Sequence, residues 1–85
     1  MAASGDSISD SLQQLADELN EAADNWQELA DMYFDAAMYY AEKGDVNAML
    51  YWTAQWDDAE TNVANYRSAG QAFSDTAKSL KGQGL

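Results

Sequence analysis

The sequence predicts an all-α fold: a long antiparallel two-helix hairpin, coiled-coil-like, assembled into a larger helical bundle. Three observations carry this. Apolar residues recur at steps of 4 and 3 through two stretches of more than 30 residues each. One strong breaker, Lys43-Gly44-Asp45, separates the stretches. A link of two or three residues leaves two long helices no arrangement but antiparallel neighbours.

The elements follow in chain order. Residues 1–6 are polar and acidic and are expected to form a loose arm. Ser7-Ile8-Ser9-Asp10 fits a capping box, with Ser7 as N-cap and Asp10 reaching back from the third helical position. Helix 1 is expected over about 8–43, with its seam at Ile8, Leu12, Leu15, Leu19, Ala22, Trp26, Leu29, Tyr33, Ala36 and Tyr40. Gly44 suits the left-handed position that ends a helix, and Asp45 can cap the next one. Helix 2, over about 46–80, repeats the pattern at Met49, Trp52, Trp56, Ala59, Val63, Tyr66, Gly70, Phe73, Ala77 and Leu80. Lys78 and Lys81 favour its C-terminus, and residues 82–85 are expected to fray.

Pairing the seams tests their fit. If facing residue numbers sum to about 92, Tyr33 meets Ala59, Trp56 meets Ala36, Trp52 meets Tyr40 and the small Ala22–Gly70 layer closes the middle, as close packing requires. A tighter turn would give a competing sum near 89. A ridge of small residues also runs along helix 1, at Ala16, Ala23, Ala30, Ala37 and Gly44. It reads either as plain helix propensity or as a track on which another helix approaches closely.

The composition bounds the chemistry. Of 85 residues, 47% are apolar, too many for a disordered acidic tail. Histidine and cysteine are both absent, which removes the usual general base, thiol nucleophile, disulfide framework and transition-metal ligands. No phosphate-binding glycine loop and no calcium loop is present, so no catalytic, metal or cofactor residues are expected and no enzyme activity is predicted. Fifteen acids against four bases give a net charge of −11, which disfavours direct contact with nucleic acid or an anionic membrane. No signal peptide is expected, and no apolar run approaches the roughly 20 residues of a membrane span. The expected location is the cytoplasm or the inside of a particle, such as a virion or a secreted assembly.

Two surfaces invite partners. Met32, Phe34, Met38, Tyr39, Val46, Leu50 and Tyr51 cluster near the turn but off the seams, more apolar surface than one neighbouring helix can cover. Self-association through this patch, or docking on a protein partner, is the first functional expectation. Asp17, Glu21, Asp24, Glu28, Asp31 and Asp35 recur at steps of 4 and 3 and so form one acidic stripe. Residues 1–43 hold ten acids and one base, while 44–85 hold five acids and three bases. The stripe reads as a solvated outer face or, alternatively, as a mimic of a phosphate backbone, of the kind used by small acidic phage inhibitors, that blocks a basic nucleic-acid-binding protein.

Two local resemblances bear on the turn. Tyr39-Tyr40-Ala-Glu-Lys-Gly44-Asp45, with Ala48 and Tyr51, resembles the turn of a tetratricopeptide repeat, although the helices are more than twice a repeat's length and there is no second copy. The size, acidity and hairpin are similar to the WXG100 secretion substrates, but Lys-Gly-Asp stands where they carry Trp-x-Gly.

Overall fold

A computed structural model describes residues 5–82 and has two helices, α1 at Gly5–Lys43 and α2 at Val46–Gly82. They pack antiparallel along a rod of 63 × 15 × 14 Å, with no strand among the described residues. The all-α hairpin is the observed fold.

The turn is built as its residues dictate. Gly44 sits at φ 76°, a region in which a side chain is strained. Its N–H donates to the Ala41 carbonyl at 3.1 Å, and the Asp45 N–H donates to the Tyr40 carbonyl at 3.0 Å, the paired bonds that close a helix around a left-handed glycine. Asp45 then caps α2, its Oδ1 accepting from the Ala48 N–H at 3.1 Å. At the other end α1 begins at Gly5, ahead of the expected cap. Ser7 therefore lies inside the helix, where its carbonyl accepts from Ser11 Oγ at 3.1 Å. Of the arm expected over 1–6, residues 1–4 lie outside the described residues, as do residues 83–85 of the expected tail; Gly5, Asp6 and Gly82 are helical.

The contact between the helices differs from the expected seam. The line of closest burial on α1 is Ser9, Ala16, Ala23, Ala30 and Ala37, each seven residues from the next. On α2 the buried residues are Ala59, Val63, Gly70 and Ala77. The small ridge is thus the track on which α2 itself lies. The large seam residues of α1 are turned to one side: Leu12, Leu19, Trp26 and Tyr33 are half-buried, while Ile8, Leu15 and Leu29 remain 36–45% exposed. The reason is geometric. Two helices alone cannot surround a large side chain placed on the line between their axes, whereas alanine and glycine let the backbones approach and leave larger groups to the flanks.

The register is shorter than a sum of 92. Ser9 Oγ donates to the Ala77 carbonyl at 2.7 Å, Ser74 pairs with Gln13 at 3.3 Å, and Gln27 Nε2 donates to Glu60 at 3.1 Å. These sums are 86 and 87, while the exposed pairs Asp24–Arg67 and Asp10–Lys81 sum to 91. Gly70 accordingly faces Ala16 and Asn20 rather than Ala22. Trp52 packs on Tyr33 at 5.8 Å between centroids rather than on Tyr40, and the Trp56 ring lies 5.4 Å from that of Phe34. A link of only Gly44 and Asp45 centres the hairpin near the tighter of the two expected registers.

Candidate interaction surfaces

A two-helix rod has two broad faces, one on either side of the plane containing both axes. Here they differ sharply in chemistry. Gln13 and Gln27, one turn beyond the buried Ser9 and Ala23, reach across to Ser74 and Glu60. Asp24 meets Arg67 at 3.1 Å and Asp10 meets Lys81 at 3.4 Å on the same side. All four links are polar and exposed or part-buried, and the two ion pairs, being well solvated, add about 0–1 kcal/mol each. Away from the turn this face is polar.

The acidic stripe borders it. Asp17, Glu21, Asp24, Glu28, Asp31 and Asp35 are all exposed on α1. Gln13 and Gln27 donate to Asp17 and Asp31 at 3.1 Å, one turn away, and Arg67 is the cation that reaches the row. Among the described residues, no group of three acids converges so as to hold a metal ion, and there is no pocket.

The seven turn-proximal residues are all exposed, at 44–64%. The fold does not gather them on one face. Helical periodicity places Phe34, Met38, Val46 and Leu50 on the polar side of the rod, beside the Phe34–Trp56 contact. Met32, Tyr39 and Tyr51 stand on the outer backs of the helices. Tyr39 and Tyr51 each meet the next residue's ring edge-on at 5.1 Å, and Lys43 Nζ lies 5.4 Å from the Tyr39 centroid.

The second broad face carries residues that the 4-and-3 pattern assigns to the interior. It holds the large seam of α1 together with Trp52, Tyr66, Phe73 and Leu80 of α2; the Tyr33–Trp52 contact fixes which sides adjoin. Ile8, Leu15, Leu29 and Phe73 are among its exposed members. The sequence does hold a signal for this rotation: the seven-residue spacing of Ser9, Ala16, Ala23, Ala30 and Ala37 matches the spacing of Ala77, Gly70 and Val63 in reverse. Over these stretches small residues meet small ones, and the α2 column turns large only toward the turn, at Trp56 and Met49.

No helix among the described residues is long and apolar enough to cross a membrane. No protein-family model, curated protein or solved structure matches this chain.

Proposed function

We propose that this chain is a non-enzymatic helical assembly module that self-associates through its exposed apolar side chains, those around the turn among them. One observation supports this above the others: among the described residues the buried positions are alanines, a valine, a glycine and a serine, while eleven large apolar residues are exposed. Burying an alanine methyl contributes about 0.8 kcal/mol, so such an interior offsets little of the chain entropy lost on folding. Small domains make up this deficit with disulfides, metals or oligomerisation, and this chain has no cysteine. Sedimentation at micromolar concentration tests the reading. The parent should be oligomeric, and Phe34→Asp/Leu50→Asp should lower its order. A monomeric parent would overturn self-association.

The acidic stripe supports a second use, occupation of a basic surface that otherwise holds nucleic acid. Its six carboxylates face outward without interruption by a base on α1 before Lys43. In that use Asp24→Asn/Glu28→Gln/Asp31→Asn should strongly weaken capture of a basic partner while changing hairpin stability little, because relief of like-charge repulsion a turn apart is offset by loss of the Asp24–Arg67 pair. A partner retained by the triple variant and in high salt would rule the stripe out as its contact.

A further inference from the structure

We infer that the charge-free broad face of the hairpin is a pairing surface for a second copy of this chain, giving a four-helix bundle with the acids outside. The inference rests on the self-associating reading above and names the surface and its occupant.

The face is defined by four lines of residues. On α1 these are the positions from Ile8 to Tyr40 at steps of 4 and 3; on α2 they are Trp52, Ala59, Tyr66, Phe73 and Leu80 with the adjoining line Ala48, Gln55, Asn62, Ala69 and Thr76. None of these residues is charged, although the chain carries nineteen charged side chains. The opposite face takes the interhelix polar links and borders the acidic stripe. Chance placement of so many charges would not leave one broad side of a rod bare along its length.

The occupant follows from area, shape and charge. One partner contributes about 800 Å² to a standard stable interface. A face of 63 by 15 Å presents about 950 Å² in projection, enough to bury it. The surface is also self-complementary in shape: Leu15, Trp26, Leu29 and Phe73 project beside Ala22, Ala36 and Ala69, so knobs and holes occur on the same patch, as a two-fold contact requires. The acidic stripe makes the outer side of α1 a poor partner for itself. Paired through this face, two copies keep their acidic sides apart by the thickness of two helical layers, roughly 20 Å, well beyond a Debye length of about 8 Å at physiological salt. The 4-and-3 seam then serves as the core between hairpins, while alanines serve within each hairpin.

The test uses the full chain in the Phe34→Asp/Leu50→Asp background, which silences the turn. That protein should sediment as a dimer. Adding Leu15→Gln/Leu29→Gln, which changes no charge and keeps good helix formers, should raise the dimer dissociation constant by on the order of a hundredfold or more, with helicity retained by circular dichroism at a concentration where the dimer is lost. Adding Leu15→Met/Leu29→Met instead should keep the dimer, and raising salt should leave it intact or tighten it. A dimer that survives the glutamine pair, or that dissociates in salt, would overturn the inference while leaving self-association standing. An oligomeric parent whose Phe34→Asp/Leu50→Asp variant is already monomeric would also overturn it and assign assembly to the turn alone. A monomeric parent would overturn both readings.

Discussion

Replacing Ala23 and Ala30 together by leucine is expected to produce the largest loss of stability of any conservative apolar change in this chain. Both alanines are fully buried on the line between the helix axes. Leucine has nearly the same helix propensity, so the local preference is almost unchanged. Each added side chain must instead push the backbones apart or take an unfavourable rotamer, at a cost of about 1–3 kcal/mol per site. The two sites are two turns apart on one column, so the displacement is shared and the costs are not independent. For a domain of this size each kcal/mol lowers the melting temperature by roughly 4–8 °C. Thermal unfolding of Ala23→Leu/Ala30→Leu beside Leu15→Ala/Leu29→Ala, both in the Phe34→Asp/Leu50→Asp background and at a dilution that dissociates the parent dimer, gives the comparison. The alanine-to-leucine pair should be much the more damaging. Equal melting temperatures would mean that the large residues, not the small column, form the contact within the hairpin.

Gly70→Leu should also destabilise strongly, and its neighbours identify the register. A Cβ at Gly70 would stand 2.9 Å from Asn20 Oδ1 and 3.3 Å from the Ala16 carbonyl oxygen. The amide of Asn20 can swing toward water, since that residue is exposed, but the helical carbonyl of Ala16 cannot move without the backbone. Leucine extends further into the same gap and is expected to lose on the order of 1–3 kcal/mol. Gly70→Ala should fall near neutral, because the tight contact is offset by about 1 kcal/mol of helix propensity. Asn20→Ala should restore part of the stability lost in Gly70→Leu, and Ala22→Gly should not. An unchanged melting temperature in Gly70→Leu would reject the observed packing; rescue by Ala22→Gly would restore the longer register.

Those parts of the fold that depend on neighbours in the chain are legible in the sequence itself. Gly44 and Asp45 act through φ and through bonds to residues no more than five positions away, and both take the expected roles. The helical stretches declare themselves through period alone. The expected start of α1 falls later than Gly5, because serine and aspartate near an N-terminus favour a cap wherever a helix happens to begin. The exposed acidic stripe and the apolar residues around the turn are legible for the same local reason, since a helix determines which of its residues share a side. That the turn residues divide between one face and the two helix backs is not, because this depends on where α2 lies.

What the sequence by itself determined is therefore one-dimensional: two amphipathic helices, their lengths, their hinge and the angular position of each residue about its own axis. It offered two columns on α1 that could meet α2, a large one and a small one, and period alone cannot rank them. Tertiary structure decided between them by the close approach of two backbones. Ala16, Ala23 and Ala30 are fully buried, and Gly70 lies against the Ala16 carbonyl. In this hairpin the alanine column lets the backbones approach closely and leaves the large seam residues of α1 to one flank. The large seam is thereby turned outward to a broad face that a single hairpin cannot cover.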